Sequence, residues 1–271
     1  MITQGKMDPN RNPGPSEGEI AVKSPKRLAR IAGIFYLLVG IFGGFAEGFV
    51  DPKIYVANNA VATAGNVVAY SALVRIGVVA HLVDAVFFVL TALTLYILLK
   101  HVNKGVARAM LVFVIVAVGI ITLNAVFLFE GLRVATESVF AATFGAAGSN
   151  ALVLLLLDIQ HYGTLSAQVF FGLWLAPLGY LVYKSGMFPK TLGVVLVAAA
   201  ACYLVDLLAA FLVPAFGNQI HPLIVIIPAI AEIWMVLYLL IVGVRTVKPD
   251  KGSLASAANT NAAHPQTLET E

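Results

Sequence analysis

Long apolar runs separated by short polar breaks dominate the chain and predict membrane-spanning helices. A helix that crosses the hydrocarbon core of a bilayer needs about 20 mainly apolar residues. Six runs meet this requirement, at positions 31–50, 72–99, 106–129, 162–183, 191–213 and 222–244. The pattern therefore predicts an all-α fold, a polytopic membrane helix bundle of about six transmembrane helices.

The links between these runs differ in length and composition. Two longer links, 51–71 and 131–150, are rich in small and polar residues, and we expect short interfacial helices in them. The apolar segment 151–157 is too short to span alone. It therefore either extends the fourth helix outward or forms an interfacial helix. Pro228 lies inside the sixth run and predicts a kink there.

Composition supports a membrane location. Of the 271 residues, 60% are hydrophobic and 11% are charged, and the mean hydropathy is +0.91. Soluble domains carry about 25% charged residues, so the excess apolar surface requires lipid as its solvent. The bilayer is thus the expected partner. The one cysteine, Cys202, excludes an intrachain disulfide, and we interpret it as a packing residue.

The basic residues are distributed unevenly along the chain and predict its orientation. One set of chain ends and links carries Lys23, Lys26, Arg27, Arg30, Lys100, Lys104, Arg108, Lys184, Lys190, Arg245, Lys248 and Lys251. The opposite links carry only Lys53 and Arg133. Lysine and arginine accumulate on the cytoplasmic side, which predicts that both termini are cytoplasmic (N-in/C-in). Because the net charge of +3 is explained by topology, no nucleic-acid partner is expected.

The polar ends of the chain suggest three regions. We expect a disordered cytoplasmic tail at 1–26, a six-helix transmembrane domain at 27–247 and a second disordered cytoplasmic tail at 248–271. No cleavable signal precedes the first apolar run, so we expect that run to remain as a signal anchor. The predicted location is the inner (plasma) membrane of a bacterium, as a multi-pass protein.

Three sequence segments resemble a known family. They are FFGLWLAPLGYLVYKSGMFPKTLGVVLVAAAACYLVD at 170–206, RIAGIFYLLVGIFGGFAE at 30–47 and LYILLKHVNKGVA at 95–107. Together they resemble the DUF4386 family of bacterial multi-pass membrane proteins, over about residues 25–247. The alanines at 198–201 depart from the glycine-containing stretch that the family pattern leads us to expect. The resemblance implies a membrane architecture and no particular activity.

Ionisable side chains inside the apolar runs are the candidate site residues. A charged group in the hydrocarbon region is costly, so such residues are functional candidates by default. At about 1.5 Å of rise per residue, Asp84 and Glu232 fall near the midplane. The cytoplasmic half holds almost no ionisable group, which predicts an acidic pocket open to the outer side. The candidate ligand-binding residues are Glu47, His81, Asp84, His161, Gln168, Asp206 and Glu232.

Helical spacing raises an alternative involving a metal ion. His81 and Asp84 are three residues apart and share a helix face. Asp158 and His161 have the same spacing at the start of a polar stripe that continues to Gln168. The four residues His81, Asp84, Asp158 and His161 could hold a divalent metal that activates water. Apart from this alternative, no cofactor is expected.

Three functions fit these patterns. The first is binding or transport of a small cationic or neutral solute through the acidic pocket. The second is metal-dependent intramembrane hydrolysis, and the third is a structural or assembly role in which the polar groups form interhelical hydrogen bonds. We favour the first and do not expect an enzyme. A second copy of the chain is a candidate partner.

Two local motifs predict structural contacts. Gly40 and Gly44 form a small-xxx-small motif, which predicts close helix packing within the bundle. Glu130, Arg133 and Glu137 are spaced three and four residues apart, which predicts a solvated row of salt bridges.

Overall fold

The computed structural model describes residues 24–245, which are mainly helical and contain no β-strand. The predicted tails lie outside these residues, except that the first helix already includes Pro25 and Lys26. In chain order the helices are α1 (Pro25–Phe45), a π-helical turn (Ala46–Val50), α2 (Asp51–Ile54), α3 (Ala60–Ala69), α4 (Ser71–Leu99), α5 (Lys104–Thr136), α6 (Ser138–Ser185), α7 (Lys190–Leu212), α8 (Pro214–Ile224) and α9 (Ile226–Ile241).

The six predicted spans are confirmed. Six helical segments of the described chain are long and apolar enough to cross a membrane: Pro25–Ile54, Ser71–Leu99, Lys104–Thr136, Ser138–Ser185, Lys190–Leu212 and Pro214–Ile241. Their outward faces are apolar, as shown by Ile76, Ile115 and Ile233, each more than half exposed. Water cannot solvate such a surface favourably, whereas lipid can. The chain is therefore a multi-pass membrane protein, an all-α helix bundle.

Local sequence signals set the helix ends on the basic side of the bundle. Ser24 caps α1 by accepting a hydrogen bond from the backbone N–H of Arg27, and Asn103 caps α5 in the same way. Gly186 caps the C-terminus of α6, and its φ of 68° lies in the left-handed region that glycine adopts readily. The backbone N–H of Arg245 then donates to the carbonyl of Met187 at 3.0 Å. This last contact ties the end of the sixth span to the turn between α6 and α7. This side of the bundle, which we call the basic end, carries Lys26, Arg27, Lys104, Lys190 and Arg245.

The six spans form a closed ring. α1 packs on α4, α4 on α5, α5 on α6, α6 on α7, α7 on α9, and α9 on α1. Some of these crossings are very close: a Cβ added at Gly193 would lie 2.7 Å from the carbonyl oxygen of Gly179. Between the ring centre and the basic end, fully buried apolar side chains such as Leu95, Met110 and Leu178 form a continuous core.

The last span is longer than predicted and is broken. It begins at Pro214 rather than at position 222, and a turn at Val225 separates α8 from α9. Pro228 explains the break because it has no N–H to donate to the carbonyl of Ile224 and its ring crowds that carbonyl. The kink expected at Pro228 is therefore present, as a division of the span into two helices.

The fourth span differs most from the prediction. α6 contains 48 residues and includes the segment 151–157, which is thus an outward extension of the span. α5 continues to Thr136, and the link 131–150 then holds a short helix at 138–144, because the backbone at Gly145, with φ of 71° and ψ of 167°, is not helical and separates these residues from the long helix that follows. The link 51–71 also holds a short helix, α3.

A π-helical turn interrupts the first span at Ala46–Val50. The backbone N–H of Asp51 donates to the carbonyl of Ala46, five residues earlier. Pro52 follows at once and cannot supply the next helical N–H, which favours a widened turn here. Such turns occur frequently at functional sites, and this one contains Glu47.

Candidate functional site

A cavity of about 160 Å³ lies at the centre of the helix ring, and we call it the central cavity. Three of the predicted site residues, Glu47, Asp84 and Glu232, face it from three different spans. All six spans contribute to its wall, through Val39, Gly43, Gly44, Glu47, Asp84, Phe88, Ile121, Phe171, Trp174, Tyr203 and Glu232. The ring thus brings together acids that are far apart in the sequence.

Asp84 is the most deeply buried of the three acids. Its side chain is on α4, is only 5% exposed, and packs against Gly43 of α1, where a Cβ would lie 3.3 Å from Oδ1. Oδ1 has no hydrogen-bond partner among the residues that the structure describes. A buried carboxyl oxygen without a donor costs free energy, and a positive charge beside this side chain would offset part of that cost.

Glu232 has partners for both of its oxygens. The hydroxyl of Tyr36 donates to Oε2 at 2.7 Å, and the hydroxyl of Tyr203 donates to Oε1 at 2.9 Å. The two tyrosines belong to α1 and α7, the neighbours of α9 in the ring. This arrangement fixes the carboxyl group in place and connects three spans.

Aromatic rings close the central cavity on the side of the basic end. Trp174 is 1% exposed and makes edge-to-face contacts with Tyr36, at 5.4 Å between ring centroids, and with Phe88, at 5.1 Å. The apolar core follows directly behind these rings. The central cavity therefore has an acidic side and an aromatic floor.

A second, larger cavity of about 400 Å³ lies toward the other end of the bundle. Its lining residues are Glu47, Asp51, Pro52, Tyr55, Gln160, His161, Thr164, Leu165 and His221. Glu47 lines both cavities, so its side chain lies at their junction. We call the second cavity the vestibule, because exposed residues such as Pro52 form part of its wall.

Hydrogen bonds between α2 and α6 organise the vestibule. Gln160 donates to Oδ2 of Asp51 at 2.7 Å, and Tyr55 donates to Oδ1 of Asp158 at 2.7 Å. The ring of Tyr55 also stacks on that of His161, with centroids 4.9 Å apart. Burial and the bond to Asp158 raise the pKa of the Tyr55 hydroxyl above its ordinary value. The phenol therefore stays protonated and remains a donor.

Three predicted site residues line neither the central cavity nor the vestibule. The Nε2 atom of His81 lies 3.5 Å from Oδ2 of Asp51, above the cavity. Asp206 is buried and contacts Nδ1 of His221 at 2.9 Å, which places it beside α8. Gln168 lines neither cavity, and its buried Oε1 has no partner within the described part of the chain.

The four residues of the metal alternative are not brought together. Asp84 faces the central cavity and His81 approaches Asp51, whereas Asp158 and His161 both contact Tyr55. In residues 24–245, no group of three or more His, Cys, Asp or Glu side chains is arranged to hold a metal ion. The geometry therefore gives no support to metal-dependent hydrolysis.

Several residues of the two cavities escape prediction from an isolated sequence. Tyr36, Tyr203, Asp51, Gln160 and His221 all make polar contacts there. For two of them the helical spacing gave a signal. Tyr203 lies three residues before Asp206, and Tyr36 lies eleven residues before Glu47, so each tyrosine shares a helix face with an acid. Asp51 and His221 lie in segments that the hydropathy pattern assigns to links.

Comparison with known proteins places the chain in a family. The model of a family described as "Domain of unknown function (DUF4386)" matches residues 31–243. An uncharacterized protein of Archaeoglobus fulgidus is 28% identical over 123 residues, which are 45% of this chain. The chain spans 60% of the length of that relative. No solved structure matches. Because the family model covers most of the membrane-spanning part, the chain belongs to the DUF4386 family, as its sequence motifs predicted.

Proposed function

We propose that this protein binds a small cation in the central cavity, which the cation enters through the vestibule. One observation carries the proposal: Glu47, Asp84 and Glu232 line a single cavity inside an apolar bundle. No lysine or arginine is among the residues described as lining either cavity. An excess of carboxyl groups at this depth favours a positively charged guest.

The partners of the individual acids support this assignment. Glu232 is held by two phenol hydroxyls, so its position is fixed without a guest. Asp84 Oδ1, by contrast, is buried and has no partner in the described structure. Burying an ionised carboxyl group without compensation is unfavourable. A cation at the level of Asp84 and Glu47 would supply both the missing charge and a missing contact.

The shape of the cavities supports access from one side. Glu47 lies at the junction of the central cavity and the vestibule, whereas Trp174 and the core behind it close the path to the basic end. With the orientation that the basic residues predict, the cation would enter from outside the cell. Such a one-sided cavity is compatible with a sensor, or with a carrier in its outward-facing state.

Thermal stability of the purified protein tests the proposal. Unfolding is followed in detergent at constant ionic strength, with ammonium, methylammonium, sodium, potassium or magnesium replacing N-methylglucamine, which is too large for the cavity. A cation that binds the folded state raises the melting temperature in a saturable manner. We expect such a rise for the wild type and its loss in Asp84→Asn and Glu47→Gln.

Glu130→Gln is the matched control for these variants. Glu130 is also a glutamate of a spanning helix, but it forms a partly exposed ion pair with Arg133 at 3.1 Å and lines neither cavity. This variant should keep the full cation response. If no cation raises the melting temperature of the wild type, or if Glu130→Gln loses the response as Asp84→Asn does, the proposal fails. The acids would then serve only to hold the helices together.

A further inference from the structure

The wall of the central cavity specifies which cation would fit. Besides the acids, the wall contains the rings of Phe88, Phe171, Trp174 and Tyr203. Aromatic faces attract cations, and organic cations with an apolar part also gain from contact with the ring surface. We infer that the guest is a small alkylammonium ion, with its N–H groups on the acids and its alkyl group against the rings. This inference rests on the cation site proposed above.

The available acceptors match an ammonium group better than a metal ion. Both oxygens of Glu232 already accept bonds from Tyr36 and Tyr203, which leaves Asp84 and Glu47 as the main free acceptors. Asp84 is 5% exposed, and its Oδ1 lacks a partner within the described chain. Calcium takes about six to eight oxygen ligands, more than the four carboxyl oxygens of Asp84 and Glu47, whereas an alkylammonium group has three N–H donors and needs at most three acceptors.

The size of the cavity restricts the alkyl group. Sites for drug-sized ligands measure roughly 300–1,000 Å³, whereas the central cavity measures about 160 Å³. It has room for an ion of only a few non-hydrogen atoms, such as methylammonium or ethylammonium. Tetraethylammonium is too large for it. Tetramethylammonium carries the same single positive charge as methylammonium but has no N–H group to donate to Asp84.

Tryptophan fluorescence offers a direct readout of this site. The chain contains two tryptophans, and only Trp174 lines the central cavity. Trp234→Phe therefore leaves a single reporter in the cavity wall. In titrations of this variant at constant ionic strength, we expect saturable fluorescence changes with methylammonium and ethylammonium. Their affinity should exceed that of sodium, potassium and tetramethylammonium by about tenfold or more.

The contribution of the rings is tested by Phe171→Leu, which keeps an apolar side chain of similar size. Losing one cation–ring contact should weaken alkylammonium binding by roughly 3- to 30-fold. Phe42→Leu is the control, because Phe42 lies on the first span and stacks on Phe87 at 6.2 Å, away from the cavity. In the Trp234→Phe background, Phe42→Leu should bind alkylammonium ions with unchanged affinity.

The possible outcomes separate this inference from the proposed function. Stronger or equal binding of sodium, potassium or magnesium would overturn the alkylammonium assignment while leaving a cation site in place. Equal losses in Phe171→Leu and Phe42→Leu would also overturn it, because the effect would then not come from the cavity wall. Absence of binding by every cation would remove the proposed function itself. The order of cation affinities in the Trp234→Phe protein tests the alkylammonium assignment even if Phe171→Leu does not fold.

Discussion

The hydroxyl of Tyr36 donates a 2.7 Å hydrogen bond to Oε2 of Glu232 and so joins the first spanning helix to the last. Without a contact between α1 and α9, the six spans would form an open row instead of a ring. The same carboxyl group receives a second bond from Tyr203 on α7. Glu232 therefore connects three helices at the level of the central cavity.

Removing the Tyr36 hydroxyl should destabilise this closure. In Tyr36→Phe the ring still packs on Trp174, but Oε2 of Glu232 loses its donor. We expect the free energy of unfolding to fall by about 1–2 kcal/mol, measured by a reversible unfolding titration in mixed micelles. Tyr70→Phe is the control, since Tyr70 is exposed. Equal stability of Tyr36→Phe and the wild type would show that the bond contributes nothing.

Two glycines of α1 should respond in opposite ways to alanine. A Cβ at Gly33 would lie 2.9 Å from Cβ of Leu239 and 3.0 Å from the backbone nitrogen of Leu240. Gly33→Ala must therefore push α9 away, and overpacking of this kind costs about 1–3 kcal/mol. Gly40 has no atom within 4 Å of the added Cβ, so Gly40→Ala should be neutral or slightly stabilising.

The same unfolding titration compares the two variants, which share a helix and a substitution. Equal effects would mean that the close approach of α1 and α9 does not limit stability. The sequence motif Gly40-xxx-Gly44 predicted close helix packing at these two glycines, and this prediction is wrong, because a Cβ added at either would have no atom within 4 Å. The glycine that packs, Gly33, lies four residues after the fully buried Ala29. These two residues form a second small-xxx-small pair on the same helix, and the ring geometry shows that this pair faces α9.

His221 should hold α8 against the bundle. Its Nδ1 atom lies 2.9 Å from Oδ2 of Asp206, and nearby Gly217 packs closely on Ala209. His221→Ala removes the polar contact and leaves Asp206 buried without it. We expect faster amide hydrogen exchange in residues 214–224, because local opening becomes less costly. His101→Ala changes an exposed histidine at the opposite end of the bundle and should leave the exchange of residues 214–224 unchanged. If His221→Ala also leaves this exchange unchanged, the contact with Asp206 does not hold α8.

The architecture could be predicted from hydropathy because each span must satisfy its own backbone in lipid. The same argument located Glu47, Asp84 and Glu232, since a carboxyl group within an apolar run stands out. It could not assign their partners. The spacing of Tyr36 from Glu47 and of Tyr203 from Asp206 puts each tyrosine on the face of an acid. It does not point to Glu232, and only the ring of helices places both hydroxyls beside that residue.

The pairing of His81 with Asp84 shows where helical spacing was insufficient. Residues three apart share a face, but they differ by about 4.5 Å in height along the axis. Asp84 consequently faces the central cavity, while His81 reaches the level of Asp51, just after the π-helical turn. Pro52 favours that turn, whose effect on the first span is not visible in a hydropathy pattern. The polar residues of α6 that share a face also reach different places: His161 lines the vestibule, whereas Gln168 lines neither cavity.

Labelling of single cysteines tests both the orientation and the access route. The chain has one cysteine, so Cys202→Ala provides a background without thiols. Leu165→Cys then places a thiol in the vestibule wall, and His101→Cys places one in the exposed turn between α4 and α5. The positive-inside rule assigns the turn to the cytoplasm. A membrane-impermeant maleimide added to intact cells should therefore label Leu165→Cys, and should label His101→Cys only after permeabilisation. The reverse pattern would contradict the predicted orientation. Protection of both thiols in intact cells would instead contradict an open vestibule, because the reagent would not reach position 165 from the outer side.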